Sequence, residues 1–288
     1  MKTNNQSKFI YMHILIKYLA VHIFIFFVNA SLTAQNYNTN QPWFFIQLSD
    51  PQIGMFEKNK GFEKETVLFE KAVNHINRLQ PEFVVITGDF VHDQNSERQI
   101  NEFKRIVAKI NSNIPVYLVP GNHDVGQIPD KQSLKDYRKN YGKDRFVFKH
   151  KGSVFIGFNS GLIKGSLKKM EQKQYKWLVR TLKRYQDAQH IILFCHYPFF
   201  NKNIDEPESY SNIGPEYRRK YLSLFDSNNV SAVFSGHLHD NMLNRFKKIQ
   251  LVTTGALGKP LGEAPSGMRI IKVYKEEIQH EYYEVNRN

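Results

Sequence analysis

Short apolar runs that end in polar residues recur five times along the chain. Each run is short enough to form a buried strand, and each is followed by side chains that can bind a cation or carry a proton. The five blocks are Ile46–Gln52, Val84–Asp89, Val119–Asp124, Leu193–Pro198 and Val233–Asp240. Because ligands of open α/β sheets lie beyond the carboxyl ends of the strands, we expect the five polar ends to meet at one site.

Segments of helical period lie between the runs. Apolar residues recur there at intervals of three and four positions, which is typical of helices with one buried face. Helices are predicted on this basis around residues 68–79, 100–110, 177–185 and 217–225. The segment 201–214 is polar and is predicted to be an exposed loop. The alternation of strands and helices predicts a layered α/β fold.

The last part of the chain has a different pattern. Four strand-like runs follow one another with short turns and no helical period, at Met242–Phe246, Ile249–Thr253, Met268–Tyr274 and Ile278–Tyr283. They predict a second, mostly antiparallel sheet. Since the sequence shows neither a repeat nor an interdomain linker, one domain with two packed sheets is the economical interpretation.

The first 34 residues have the pattern of a secretory signal peptide. Three lysines and no acidic residue precede an apolar run over residues 18–28, and small and polar residues follow. This run is shorter than the ~20 residues of a transmembrane helix, so cleavage after Ala30 or Ala34 is expected, with an uncleaved membrane anchor as the alternative. The pattern predicts a signal peptide over residues 1–34, one domain over residues 35–288, and export to the periplasm or out of the cell. No stable membrane insertion is expected after cleavage.

Composition and charge narrow the function only slightly. The 288 residues are 41% hydrophobic and 14% aromatic, which is ample for a core. The formal charge of +13 is spread without a run of five basic residues, so no nucleic-acid-binding arm is indicated. An anionic partner or simply a solvated basic surface accounts for it. The single cysteine, Cys195, permits no internal disulfide and is interpreted as a core residue, since strand neighbours point to opposite faces.

The polar ends of the five blocks combine carboxylate, amide and imidazole groups, a mixture that borderline and hard divalent metals bind. The candidate residues are Asp50, Gln52, Asp89, Asn122, His123, His196, His237 and His239. One histidine at a strand end is usually a packed residue, but five strand ends with such groups together indicate a metal site. Gly88, Gly121 and Gly236 each precede a candidate, which predicts either a close backbone approach to the site or ordinary turns.

The blocks resemble the motifs of the metallophosphoesterase (calcineurin-like phosphoesterase) superfamily, which read Asp-x-His, Gly-Asp, Gly-Asn-His-Asp/Glu, His and Gly-His-x-His in this order. Within it, the chain resembles the calcineurin-like phosphoesterase domain-containing protein 1 group. That group shares Asp-Pro-Gln in the first motif, the Ile204–Glu206 stretch, and a Gly-rich turn, here Gly255–Gly267, before Tyr282–Tyr283. The resemblance runs from about residue 43 to 283. It implies a four-layer α/β/β/α sandwich of two packed mixed β-sheets flanked by helices.

The resemblance implies two divalent metal ions, of Mn, Fe, Zn or Mg, that share the bridging ligand Asp89. The other ligands of the first ion are Asp50, Gln52 and His239. The other ligands of the second ion are Asn122, His196 and His237. The superfamily has a histidine where this chain has Gln52. An amide oxygen should weaken the first site for iron or zinc and favour Mn²⁺ or Mg²⁺.

Two such ions support hydrolysis of phosphate esters by direct attack of a metal-bridging hydroxide, without a covalent phosphoenzyme. The motif assigns no metal to His123, which is therefore free to protonate the leaving alkoxide as general acid. Its imidazole is expected to be oriented by either Asp124 or Asp93. The predicted partner is a phosphorylated substrate, a monoester or alternatively a diester, and nucleic acid is not expected.

Two other functions compete with this prediction. A non-catalytic binding protein with the same fold is favoured by Gln52 alone. A nuclease would need a basic groove with interleaved aromatic residues, and the sequence has no clear pattern of that kind.

Overall fold

The computed structural model describes residues 41–287, so the predicted signal peptide lies outside the described residues. The strands are β1 (Trp43–Leu48), β2 (Val84–Thr87), β3 (Val116–Val119), β4 (Phe146–His150), β5 (Ser153–Gly157), β6 (Ile191–Phe194), β7 (Val230–Ser235), β8 (Met242–Phe246), β9 (Ile249–Thr253), β10 (Gly267–Val273) and β11 (Ile278–Glu284). The helices are α1 (Glu63–Leu79), α2 (Glu97–Val107), α3 (Asn122–Val125), α4 (Lys131–Tyr141), α5 (Gly161–Lys164), α6 (Lys168–Arg184) and α7 (Pro215–Asp226).

The strands form two mixed sheets. The first has the order β11-β10-β1-β2-β3, and the second has the order β4-β5-β6-β7-β9-β8. The neighbours β1, β2 and β3 run parallel, as do β5, β6, β7 and β9. Antiparallel strands lie at one edge of the first sheet, β10 and β11, and at both edges of the second, β4 and β8. The carboxyl ends of the central strands of each sheet therefore lie at one edge, as the sequence predicted.

The two sheets pack face to face through an aromatic core. Phe45, Phe83, Phe155, Phe194 and Phe234 all lie in this layer and are at most 1% exposed. Phe45 stacks on Phe83 with ring centroids 4.7 Å apart. On β1, residues of the opposite parity, such as Ile46 and Leu48, pack under the helices instead. Because alternate strand residues point to opposite faces, β1 is buried on both sides.

Helices cover the outer face of each sheet and complete the four layers. Buried residues of α1, α2 and α4 pack on the first sheet, and those of α6 and α7 pack on the second. The predicted helical periods are confirmed there, since Ala72, Ile76, Phe103 and Ile106 are fully or almost fully buried. The fold is the α/β/β/α sandwich that the resemblance implied. In the described part of the chain, none of the helices combines the length and the hydropathy of a membrane span.

The prediction of a separate antiparallel sheet at the end of the chain is wrong. Strands β8 and β9 join the second sheet, where β9 pairs in parallel with β7. Strands β10 and β11 extend the first sheet, where β10 pairs antiparallel with β1. The local pattern shows that a segment is a strand but not its pairing partner, which depends on long-range packing.

The segment 201–214 is irregular and mostly exposed, as predicted, but it is firmly held. Arg218 of α7 is fully buried and donates hydrogen bonds to the backbone carbonyls of Phe199, Ile204, Glu206 and Ile213. The Glu206 carboxylate accepts backbone N–H groups at the start of the segment. These bonds fix a loop that reaches the functional site.

Candidate metal centre

All eight predicted site residues come together at the carboxyl ends of β1, β2, β3, β6 and β7. Seven of them are buried, with exposed fractions of 7% or less, and His123 is half-buried. Two clusters of donor atoms form there. In each cluster one donor atom per residue lies within 4.8 Å of the others. The clusters are Asp89, His196 and His237, and Asp50, Asp89 and His239. Asp89 belongs to both.

Asn122 and Gln52 supply two buried amide groups, and the Gln52 backbone N–H donates to the Asp89 carbonyl at 2.8 Å. Asn122 Oδ1 lies 3.1 Å from His196 Nε2. The Gln52 amide N–H donates to His92 Nδ1 at 3.3 Å, and its Oε1 is buried without a hydrogen-bond partner among residues 41–287. Asp50 Oδ1 is likewise buried without a hydrogen-bond partner among the described residues, and His239 Nε2 lies 3.5 Å from it. Buried oxygens without donors are unfavourable in an apolar interior, and a bound cation would satisfy them.

Each imidazole of the clusters donates one N–H to a backbone carbonyl. His196 Nδ1 donates to Thr87 O at 2.9 Å, and His239 Nδ1 donates to Lys259 O at 2.6 Å. His237 uses its other nitrogen, because Nε2 donates to Tyr210 O at 3.2 Å. Such bonds fix the ring orientation and leave the opposite nitrogen for a metal. The available atoms are therefore Nε2 of His196 and His239 and Nδ1 of His237.

The electrostatics of the clusters suit a cation. Burial lowers the pKa of His196, but the carboxylates of Asp89 and Asp50 outweigh this effect and raise it to about 9. Burial, followed by the charge of His196, lowers the pKa of His237 to about 3, so its ring is neutral and its Nδ1 lone pair faces His196 Nε2 at 3.1 Å. The carboxylates thus create a negative potential, which holds a proton on His196 and would favour a metal cation in its place. The residues fit two divalent cations that share Asp89.

The backbone at the site is tightly constrained. Asp50, Asp89 and His239 have left-handed φ angles of 50°, 50° and 55°, each of which costs ~1–3 kcal/mol. Gly121 approaches so closely that an added Cβ would lie 2.1 Å from Asp89 Oδ1. An added Cβ at Gly236 would lie 2.5 Å from Asp50 Oδ2. Of the two interpretations of these glycines, close approach to the site is therefore correct.

The expectation that Asp124 or Asp93 orients His123 is wrong. The Asp124 carboxylate accepts the backbone N–H groups of Phe90 and Gly121, both at 2.8 Å, so it supports the loop instead. The Asp93 carboxylate accepts a backbone N–H two residues later. His123 Nδ1 donates to the backbone carbonyl of His92 at 2.8 Å.

Three further features of the site were not predicted. The first is His92, whose ring stacks on His123; its only signal is a histidine three positions after Asp89. The second is Tyr210, which lies in the loop before α7 and contacts His237. The third is the short helix α3, which places Asn122 and His123 on its first turn. Nothing in the local pattern indicates that these elements meet.

A chain of buried hydrogen bonds ends on Asp50. Thr254 donates to Gln47 Oε1 at 2.7 Å, and Gln47 Nε2 donates to Thr87 Oγ1 at 2.9 Å. Thr87 then donates to Ser49 Oγ at 2.9 Å, and Ser49 donates to Asp50 Oδ2 at 2.5 Å. Every bond is directed toward the carboxylate. This series of hydrogen bonds holds the Asp50 carboxylate in place and leaves its Oδ1 as the oxygen for a metal.

Cys195 is fully buried, and its S–H group donates to the Tyr197 carbonyl at 3.4 Å. Burial also raises the pKa of the thiol above its usual range. Its interpretation as a core residue is confirmed.

The layered α/β fold and the two donor clusters that share Asp89 define a protein with a candidate site for two metal ions. The family model for calcineurin-like phosphoesterase matches residues 45–241. The chain belongs to the calcineurin-like phosphoesterase family, as the five motifs indicated, and it is a metal-dependent phosphoester hydrolase.

Relatives of known name agree with this membership. The chain is 34% identical to the serine/threonine-protein phosphatase CPPED1 of Rattus norvegicus over 264 residues. This matched region covers 85% of each of the two chains. It is 34% identical over 265 residues to the human CPPED1, covering 85% of this chain and 84% of that protein. Among solved structures, a dimetal phosphatase from Danio rerio has the same fold, with a TM-score of 0.59 and 14% identity over 84% of this chain and 99% of that one. The resemblance to the calcineurin-like phosphoesterase domain-containing protein 1 (CPPED1) group is confirmed.

Proposed function

We propose that the protein is a phosphomonoesterase with two divalent cations that acts on alkyl phosphates, of which phosphoserine and phosphothreonine side chains are the substrate class. The observation that carries the proposal is the sharing of Asp89 between two donor clusters. The relatives named serine/threonine-protein phosphatases support the choice of substrate class.

The first cation would be held by Asp50, Gln52, Asp89 and His239, and the second by Asp89, Asn122, His196 and His237. When bound, the two cations supply Lewis-acid activation of the attacking water and neutralise charge at phosphorus. Because Gln52 offers an amide oxygen in a buried position, we propose Mn²⁺ or Mg²⁺ for the first site.

His123 acts as the general acid. Its Nδ1–H donates a hydrogen bond to the His92 carbonyl, and its Nε2 has no hydrogen-bond partner among residues 41–287. During direct attack of water on phosphorus, the bond to the leaving oxygen breaks and the doubly protonated His123 ring gives its Nε2 proton to that oxygen. A proton released by the attacking water then restores the ring. The products are the alcohol and inorganic phosphate. A phosphoenzyme is not required, because water itself is the nucleophile.

We also propose that the domain acts after export, on the strength of the leader pattern in residues 1–34. The substrates would then lie outside the cytoplasm.

The substrate class is tested with the metal-depleted protein reconstituted separately with Mn²⁺, Mg²⁺, Zn²⁺ and Fe²⁺. A phosphoserine peptide, phenyl phosphate and diphenyl phosphate are compared under each metal. We expect hydrolysis to require metal and kcat/KM to be higher for the monoesters than for the diester. Faster hydrolysis of the diester would identify a phosphodiesterase. Binding of all three compounds without turnover would identify a binding protein.

A further inference from the structure

We propose that Tyr210 binds the substrate directly, by donating its phenolic hydrogen bond to a phosphoryl oxygen of the ester. This inference rests on the proposed function insofar as the ligand is a phosphate ester. It assigns a substrate contact to a residue outside the five motifs.

Tyr210 lies on the rim of the second donor cluster. Its ring centroid is 4.8 Å from that of His237, and its backbone carbonyl accepts the Nε2–H of the same histidine. Its hydroxyl oxygen lies 3.3 Å from Asn122 Nδ2. Yet the residue is 59% exposed, so a ligand can reach the hydroxyl from solvent.

The orientations of two neighbouring amides determine what this hydroxyl can do. Tyr197 donates its hydroxyl to Gln127 Oε1 at 3.2 Å, so Gln127 Nε2 faces Tyr210 at 3.4 Å. Asn122 directs Oδ1 toward His196, so its Nδ2 also faces Tyr210. Both groups are donors, and the Tyr210 oxygen therefore accepts from both. Its own O–H proton has no acceptor among residues 41–287.

An O–H group with this arrangement is suited to an anionic acceptor. A phosphoryl oxygen held beside Asn122 and His237 would be within reach of the hydroxyl. The two amide N–H donors polarise the hydroxyl and strengthen the bond that it donates. A hydrogen bond to a charged acceptor also contributes more than one between neutral groups.

The hydroxyl is held in position although it is exposed. The loop that carries it is tied down by Arg218, and Asn212 accepts the backbone N–H of Ser209 at 2.8 Å. Lys164 binds Glu208 at 2.9 Å and also contacts the Ser209 carbonyl. A donor fixed by the protein loses little entropy when the substrate binds.

Binding of inorganic phosphate to the manganese-loaded protein tests the inference without turnover. Calorimetry is performed on the wild type, on Tyr210→Phe, and on Tyr185→Phe, a control that removes a hydroxyl at the end of α6. We expect Tyr210→Phe to weaken phosphate binding ~10-fold, which is the usual scale of a hydrogen bond to a charged group, and Tyr185→Phe to leave it unchanged. In steady-state assays with phenyl phosphate, KM should rise for Tyr210→Phe by a similar factor.

A purely structural role for the hydroxyl, through the orientation of Asn122, predicts a different result. Manganese affinity would then fall in Tyr210→Phe, while phosphate affinity at saturating manganese would stay at the wild-type value. That result, or equal phosphate affinities with unchanged metal binding, overturns the inference. Phosphate binding with the expected difference but no ester hydrolysis by the wild type would contradict the proposed function and leave the Tyr210 contact established.

Discussion

The imidazole rings of His92 and His123 lie nearly parallel, with centroids 4.9 Å apart and an interplanar angle of 19°. The backbone carbonyl of His92 also accepts the Nδ1–H of His123 at 2.8 Å. One residue thus positions His123 in two ways, by stacking and by a hydrogen bond. Nε2 is therefore the nitrogen of His123 that the proposed role as general acid would use.

The first prediction concerns proton transfer by this nitrogen. His123→Ala should leave bound metal unchanged and lower turnover of a phosphoserine peptide by ~10²–10⁴-fold. The loss should be much smaller for nitrophenyl phosphate, because its leaving group is stable as an anion and needs little protonation. Steady-state kinetics with both substrates and metal analysis of the variant provide the measurement. An equal loss on both esters would favour electrostatic stabilisation instead, and loss of metal would make His123 a ligand.

The second prediction concerns metal stoichiometry. Because Asp89 belongs to both donor clusters, the wild type should bind two divalent ions per chain, and Asp89→Asn should lose activity and most of both ions. Metal analysis after gel filtration measures both quantities. The matched control is Asp136→Asn, since this exposed carboxylate accepts only from Gln132 within the described part of the chain. One ion or none in the active wild type would contradict the shared ligand.

The third prediction concerns Gln52. Substituting His would replace a neutral amide oxygen by an imidazole nitrogen, so affinity for Zn²⁺ and Fe²⁺ should increase relative to Mn²⁺. Competition titrations of the metal-depleted wild type and Gln52→His provide the ratio. An unchanged preference would mean that Gln52 does not select the metal of the first site.

The fourth prediction concerns the loop that carries Tyr210. Arg218→Met introduces an apolar side chain of similar length and removes the hydrogen-bond donors to four backbone carbonyls. We expect a loss of ~3–5 kcal/mol in unfolding free energy, measured by urea denaturation. Arg219→Met is the control, because that side chain is 56% exposed and its one ion pair among residues 41–287 is with the exposed Asp205. Equal stabilities of the two variants would show that the buried bonds do not hold the loop.

The fifth prediction concerns the leader. Expression of the full chain should give an exported protein that begins after Ala30 or Ala34, because the lysines, the short apolar run and the small residues form a cleavable signal. Mass spectrometry of the mature protein identifies its first residue. An intact Met1 in the membrane fraction would establish the uncleaved anchor.

Local signals predicted much of the fold and most of the candidate site. The runs before Asp50, Asp89 and His196 proved to be parallel strands because a strand buried on both faces must be apolar along its whole length. The helices were predicted by their period, since burial of one face repeats every three to four residues. The pairing of β9 with β7 and of β10 with β1 could not be predicted, because strand pairing joins segments far apart in sequence.

The sequence by itself determined the chemical identity of the donors and their positions after strands, and these were enough to indicate the family. Only the tertiary structure decided which nitrogen of each histidine is available, because that depends on carbonyls such as Thr87 O and Tyr210 O from distant segments. It likewise decided that His92 positions His123 and that Tyr210 reaches the site. Hydrogen bonds between such segments depend on distance and angle, which exist only once the chain has folded.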